Sequence, residues 1–384
     1  MTALEELGEP EDRWARWRAA RPDPAVCHLD SAAAGRSSLA VLTAVAEHAL
    51  LEARVGAYVA QEEAGAALSA GREALARLVG IPADGIAFVE SASVALGVLL
   101  EVWPFGADPC VGVVPSEWGP NLAAFARRGL RTVELPVDGD GHVDLAGLAR
   151  HLSKDPPSLV HLTQVASHRP LVQPAADVAA VCRASGVPLV VDAAQALGHV
   201  DTASGADVVY ATSRKWLTGP RGVGVLAVDP RWHDRLRDAL VALEPVAAAD
   251  EPIGSWLSSR ESHVAGRVGL GVAAREHLGL GAEAVRARLA AVGRATREVL
   301  GDLDDWEVVG PVDEPCAITA LRPTSGQDVM DVRARLLHEH RIVTTGQQLF
   351  RAPHDMSSPT LRISPHVDVE TGDLARLREA LASL

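Results

Sequence analysis

Between Ile86 and Val228 the chain repeats one pattern, a short continuous apolar run followed by a helical stretch. The runs fall at Ile86–Glu90, Cys110–Pro115, Thr132–Leu135, Ser158–Val165, Val187–Asp192, Asp207–Ala211 and Val223–Val228. Helical patterns between them are predicted at Val94–Trp103, Asn121–Gly129, Leu145–Leu152 and Ala175–Gly186. A strand that is apolar throughout needs cover on both faces, and a largely parallel sheet between two layers of helices provides it. Upstream, helices are predicted at Leu39–Ala60 and Leu68–Val79, after an N-terminal helical arm that ends at Arg21-Pro-Asp-Pro24. After Asp229 long helices are predicted at Trp232–Leu243, Ser262–Leu278 and Ala282–Leu300. Strands at Glu307–Val309, Cys316–Leu321 and Leu361–Ser364 and a last helix at Thr371–Leu384 complete the reading. The expected organisation is an arm over 1–25 packing with a small domain, a large α/β domain over 26–240, and the small α+β domain over 241–384.

One count narrows the chemistry. Of 36 basic residues only Lys154 and Lys215 are lysines, which leaves 36 − 2 = 34 arginines. A lysine kept against such a bias is a candidate for work a permanently protonated guanidinium cannot do, above all amine nucleophilicity. The formal charge of −14 disfavours nucleic acid and anionic membrane as partners, since both need a basic face. Cys27, Cys110, Cys182 and Cys316 lie far apart, with no C-x-x-C, so no zinc ribbon or dithiol motif is expected. The polar N-terminus is not a signal peptide, and no run approaches 18 uncharged apolar residues. A reducing cytoplasm is therefore the expected location.

Five elements carry candidate chemistry. Lys215 follows the run Asp207–Ala211, at a carboxyl strand end where open α/β sheets bind ligands; the glycines behind it lead into a strand and form no dinucleotide fingerprint. Asp192 ends a fully apolar run, where a carboxylate calls for a cation or strong hydrogen bonds. A helix N-cap, with Gln195 completing a capping box, is its plain alternative. Glu90-Ser-Ala-Ser93 runs from a strand into a helix start, where free N–H groups suit a phosphate. Trp118, in Ser116-Glu-Trp-Gly-Pro-Asn121, can stack on a flat heteroaromatic ring. Arg362, flanked by apolar residues in Thr360-Leu-Arg-Ile-Ser-Pro-His366, suits bidentate capture of a carboxylate. Taken singly each has an ordinary structural reading. Together they match the needs of pyridoxal phosphate (PLP) bound as a Schiff base. Two further patterns are bland: Asp138-Gly-Asp-Gly141 is a turn, and its twelfth position is Ala149 where a calcium loop needs Glu; His338-Glu-His340 is a solvated helix face.

From about Leu29 onward the chain resembles the class V aminotransferase group of fold-type I PLP enzymes, which includes cysteine desulfurases. The motifs, in order, are Leu29-Asp-Ser-Ala-Ala-Ala-Gly35, Glu90-Ser-Ala-Ser93, Asp192-x-x-Gln195, Ser213-x-Lys215, Gly219-Pro-x-Gly222-x-Gly224 and Arg362-x-Ser364-x-His366. The resemblance implies a large domain built on a mostly parallel seven-stranded sheet and a homodimer with its active site at the interface. It implies that Lys215 carries the cofactor, Asp192 faces the pyridine nitrogen, Gln195 and Ser167 contact the ring hydroxyl, and Trp118 stacks on the ring. Ser91, Ala92, Ser93, Ser213 and Arg214 would surround the phosphate, and Arg362 would bind the substrate carboxylate.

The departures are informative. Trp118 and Arg214 stand where the group commonly has histidines, and Arg260-Glu-Ser-His263 replaces the Gly-Thr-Pro-Asn-like run reaching the neighbouring subunit. Gly346-Gln-Gln-Leu349 lacks the cysteine of the persulfide loop. Within the group the pattern most resembles the carbon–sulfur lyase branch of the ergothioneine pathway. That implies a small-molecule amino-acid sulfoxide as substrate, an external thiol reductant, and an aromatic contact to a trimethylammonium group, with Trp103, Trp256 and Phe350 as candidates. The alternatives are a desulfurase-like or epimerase-like enzyme of the same fold, an inactive PLP-binding paralogue, and an acidic α/β binding protein without PLP.

Overall fold

The computed structural model describes residues 12–243, 251–259 and 261–384. Seven short strands form the central sheet: β1 (Ile86–Val89), β2 (Cys110–Val113), β3 (Arg131–Glu134), β4 (Leu159–Thr163), β5 (Leu189–Asp192), β6 (Val208–Thr212) and β7 (Gly224–Val228). Their order is β1-β7-β6-β5-β4-β2-β3. The neighbours from β6 through β3 pair in parallel, and β7 runs antiparallel to both β6 and β1. Every residue of β1, β4, β5, β6 and β7 is buried, the two-sided cover that unbroken apolar runs demand. Leu162, Val191, Val209 and Val225 point into one core, while Val190, Tyr210 and Leu226 point into the other with helices Ala92–Val102 and Gly119–Arg127.

A second, antiparallel sheet holds β8 (Trp306–Val309), β9 (Thr319–Pro323), β10 (Thr345–Gln347) and β11 (Thr360–Ile363) in the order β10-β11-β9-β8. Helices Ala282–Leu300, Val329–His338 and Thr371–Ala382 share its core. Three departures from expectation have a visible reason. The predicted helix Leu39–Ala60 breaks at Gly56, where φ is 91° and the chain restarts as Ala57–Glu63. The strand expected from Cys316 begins at Thr319, because the carbonyls of Glu314, Cys316 and Ile318 accept from the Arg297 guanidinium. No helix follows Asp192, only turns, so the capping-box alternative does not apply.

The N-terminal helix Asp12–Ala19 closes over the region behind Lys215. Trp17 stacks on His366 with ring centroids 4.5 Å apart, and the Arg21 guanidinium lies 3.3 Å from the Trp17 ring centroid. Arg21 also pairs with Glu276 at 3.0 Å and donates to the Thr218 hydroxyl at 3.1 Å. Residues Leu29–Gly35 bridge the two sheets. Ser31 N–H donates to the Ser364 carbonyl at 2.8 Å, and Gly35 N–H donates to the Arg214 carbonyl at 2.7 Å. A Cβ at Gly35 would sit 2.4 Å from the Lys215 carbonyl oxygen, so only glycine allows this approach. Among the described residues no helix is long and apolar enough to cross a membrane.

Candidate active site

The carboxyl ends of the parallel strands open into a cavity of about 350 Å³. Its wall includes Ser91, Ala92, Ser93, Trp118, Ser167, Asp192, Gln195, Arg214, Lys215 and Arg362. Ten of the eleven residues that the resemblance places around the cofactor and the substrate carboxylate thus meet in one place. The exception is Ser213, whose hydroxyl turns away and donates to the Pro220 carbonyl. Thr212, the last residue of β6, faces the cavity instead. Successive residues of an extended chain point to opposite sides, so one step of register decides which hydroxyl is presented.

Lys215 lies half-buried beyond the end of β6, next to the strand that ends in Asp192. Burial lowers its amine, the nearby Asp192 partly offsets this, and Arg214, Arg362 and Arg351 add to the lowering. The result is a pKa of about 7, an amine that is substantially neutral near physiological pH. Asp192 accepts from Ala194 N–H at 2.8 Å through Oδ1 and from Asn121 Nδ2 at 2.9 Å through Oδ2. Gln195 is locked by its neighbours: Trp216 Nε1 donates to its Oε1 at 2.9 Å, and its Nε2 donates to the Ala32 carbonyl at 3.0 Å. An amide nitrogen has two hydrogens, so one N–H is left for the cavity that Gln195 lines.

At the start of helix Ala92–Val102 the Ser91 hydroxyl accepts from Val94 N–H at 3.2 Å, which is ordinary N-capping. The Ala92 and Ser93 end of that helix faces the cavity. Arg362 is 2% exposed; it donates to the Ser167 carbonyl at 2.9 Å and meets Asp30 at 3.3 Å. The Ser167 hydroxyl and Arg362 Nε are buried without a hydrogen-bond partner.

Several residues at the site were given no role of their own from the sequence. Glu117 is fully buried and accepts from Trp118 N–H at 2.8 Å, Asn121 Nδ2 at 2.8 Å and the Thr163 hydroxyl at 2.7 Å. His161 touches Glu117 at 2.8 Å through Nδ1 and the Tyr210 hydroxyl at 2.8 Å through Nε2. The available hint was a lone histidine inside the apolar run Leu159–Thr163. Glu90, Arg221 and Arg351 also line the cavity. The proposed aromatic contacts separate. Trp103 is buried against Trp232, with ring centroids 4.4 Å apart, and Trp256 packs in the same core, so neither reaches the cavity. Phe350 is exposed beside cavity-lining Arg351. Arg260 lies outside the described residues.

This set fits PLP. A neutral amine, a carboxylate, a flat ring at Trp118, an unspent buried hydroxyl at Ser167 and an open helix N-terminus surround one cavity of the right size. Residues 27–377 match the class V aminotransferase family. A probable hercynylcysteine sulfoxide lyase of Mycobacterium tuberculosis is 52% identical over 371 residues, covering 96% of this chain and 92% of that protein. Among solved structures, the apo cysteine desulfurase of Thermococcus onnurineus superposes with a TM-score of 0.81 at 20% identity, over 93% of this chain and 94% of that one. A C-DES variant with glycine covalently linked to its PLP cofactor gives a TM-score of 0.81 at 19% identity, over 98% and 100%. The chain belongs to the class V aminotransferase family, whose fold-type I architecture and PLP site it carries.

Proposed function

We propose that the protein is a PLP-dependent carbon–sulfur lyase that cleaves hercynylcysteine sulfoxide by β-elimination in ergothioneine biosynthesis. The observation that carries this reading is the 52% identity to the probable hercynylcysteine sulfoxide lyase along nearly the whole of both chains. The cysteines support it. A desulfurase needs a reactive thiolate at the site, and none of the four cysteines lines the cavity. Burial pushes the thiols of Cys27 and Cys182 up to about 12 and that of Cys316 up to about 11, which removes them as nucleophiles.

Bound PLP supplies an electron-accepting ring that stabilises the charge left at Cα. The residues divide the remaining work. Asp192 keeps a proton at the pyridine nitrogen, and Gln195 and Ser167 meet the ring hydroxyl. Trp118 covers the ring face. The N–H groups at Ala92 and Ser93, with Thr212 and Arg214, hold the phosphate. Arg362 binds the cysteinyl carboxylate. Lys215 carries the cofactor at rest and then, as a free amine, takes the Cα proton; a pKa of about 7 suits both tasks. The Cβ–S bond breaks with its electron pair on sulfur, which leaves as a sulfenate. The three-carbon fragment takes up water and yields pyruvate and ammonia. Two molecules of an external thiol then reduce the sulfenic acid, giving ergothioneine, their disulfide and water.

A homodimer belongs to the same reading. Leu39, Leu42, Leu50, Val55, Tyr58 and Val59 are large apolar side chains left exposed along residues 39–59, more than a monomer usually shows in one stretch. Light scattering that gave a monomer mass would remove this part.

The test is incubation of PLP-loaded protein with hercynylcysteine sulfoxide and a thiol, following ergothioneine and pyruvate by mass spectrometry beside a Lys215→Ala control. Both products appear only when Lys215 is present. Sulfide or alanine from free cysteine, with no ergothioneine, would instead make the protein a desulfurase; a racemised product would make it an epimerase.

A further inference from the structure

Behind the cavity wall lies a buried polar chain that ordinary fold stability does not require. The sheet register builds it. Thr163 on β4, Asp192 on β5 and Tyr210 on β6 are in register and share one face, and His161 sits two residues before Thr163 on that same face. Glu117 enters from the loop after β2, and Asn121 from the first turn of helix Gly119–Arg127. Glu117, His161 and Tyr210 are each 0% exposed. Phe125 packs edge-on against the His161 ring at 5.1 Å. Burying a carboxylate and an imidazole here is costly unless they pair, and an apolar pair of the same volume would pack the space without that cost. Such a chain inside a core points to a task.

The hydrogen bonds give it a direction. His161 meets Glu117 Oε2 at 2.8 Å and the Tyr210 hydroxyl at 2.8 Å. Burial acts against both charges, but it is outweighed: Glu117, with help from Asp192, moves His161 up, and His161 together with the hydrogen bonds from Thr163 and Asn121 moves Glu117 down. A doubly protonated imidazole donates through both nitrogens, which makes the Tyr210 oxygen an acceptor and leaves its O–H free to donate. The group beside that hydroxyl is the Asp192 carboxylate. On the other side Asn121 Nδ2 lies 2.8 Å from Glu117 Oε1 and 2.9 Å from Asp192 Oδ2. Glu117 Oε1 also accepts from Trp118 N–H at 2.8 Å.

We propose that Glu117 and His161 form a positioning ion pair for the cofactor: through Asn121 and Tyr210 it holds the Asp192 carboxylate in one fixed orientation, and through the Trp118 backbone it fixes the ring beside it. The effect on PLP rests on the reading that Asp192 faces the pyridine nitrogen, and is independent of which sulfur compound the enzyme cleaves. The titratable groups bearing on Asp192 are then His161 and Glu117 from below, Tyr210 from β6 and Lys215 across the cavity.

The test uses the full chain in Glu117→Gln, Tyr210→Phe and Asp192→Asn forms. Three readouts are taken: PLP affinity of the apo protein, the pH midpoint of the bound cofactor's visible absorbance, and the melting curve. Tyr210→Phe removes one hydroxyl and keeps the ring, so the fold is retained. It lowers PLP affinity about tenfold to a hundredfold, the size of one lost hydrogen bond to a charged group, and shifts the midpoint in the same direction as Asp192→Asn. Glu117→Gln produces the larger shift, because it uncouples His161, Asn121 and Trp118 together. Should Glu117→Gln fail to fold, Tyr210→Phe decides alone. Folded variants that bind PLP within about twofold of wild type, with midpoints unmoved, would overturn the proposal, since lost packing alone moves only the melting curve. An Asp192→Asn protein with unchanged absorbance would overturn it from the other side, by removing the group on which the pair acts.

Discussion

Trp216 donates its indole N–H to Gln195 Oε1 at 2.9 Å, so the residue after Lys215 orients a side chain that the resemblance assigns to the cofactor's ring hydroxyl. With Oε1 taken, the Gln195 amide cannot flip without breaking two bonds, and its NH₂ stays toward Ala32 and the cavity. Trp216→Phe leaves Oε1 buried and unpaired and frees the amide to turn. PLP affinity falls about tenfold for Trp216→Phe and for Gln195→Leu alike, consistent with a buried hydrogen bond of ~1–2 kcal/mol. The double variant binds no worse than Gln195→Leu alone, because both act through one group. Fully additive losses would separate the two residues.

If Lys215 carries the cofactor as proposed, its lowered amine makes attachment depend on pH in a defined direction. Attachment needs the neutral amine, and burial with the surrounding arginines brings its pKa to about 7. The rate of PLP incorporation into apo protein therefore rises about tenfold per unit up to that pH and flattens above it, instead of climbing toward the ordinary lysine value near 10.4. Linkage gives a second reading of the same shift. Between the two values the unfolded chain holds the proton and the folded chain does not, so apo stability increases as pH rises across that window. Lys215→Met removes this increase, as chemical denaturation at a series of pH values would detect. A rate still climbing past pH 9 would mean the amine is not shielded.

The sheet was legible because its strands are buried on both faces and therefore apolar along their length, as in Val208–Thr212. Lys215, Asp192 and Arg362 stood out because each is a charge set against that apolar background. What the chain hid was pairing across elements. Nothing near Cys316 announces that Arg297, from a helix, takes the carbonyls that a strand would use. Nothing near His161 announces Glu117, since the two meet only when β4 lies beside the loop after β2. Ser213 looked better placed than Thr212 because it sits inside the lysine motif, yet pleating turns its hydroxyl to Pro220. Spacing reveals which residues share a strand end, but not which of two neighbours points inward.

That last difference separates two otherwise similar variants. Thr212→Val keeps the β-branched shape and removes a hydroxyl from the cavity wall. Ser213→Ala removes one that donates to the Pro220 carbonyl behind the wall. In titrations of apo protein followed by cofactor absorbance, Thr212→Val weakens PLP about tenfold and Ser213→Ala changes it by less than about twofold. Ser213→Ala instead lowers thermal stability modestly, because the Pro220 carbonyl loses its donor. The reverse ranking would return the phosphate contact to Ser213.

Arg351 gives the sharpest test of the sulfoxide proposed as substrate. It lines the cavity, its Nε is buried without a hydrogen-bond partner, and its charge is felt by both Lys215 and Arg362. In the proposed function Arg362 takes the cysteinyl carboxylate, so a second guanidinium suits a substrate with a second carboxylate. The hercynyl group carries one beside its trimethylammonium centre, whereas S-methylcysteine sulfoxide has only the cysteinyl carboxylate. Arg351→Gln therefore lowers kcat/KM for hercynylcysteine sulfoxide about thirtyfold, or ~2 kcal/mol, mostly through KM. The same change leaves S-methylcysteine sulfoxide within about twofold, since that substrate never reaches the arginine. Equal losses on both substrates would place Arg351 at the shared cysteinyl end, and the preference for a distal carboxylate would have to arise elsewhere.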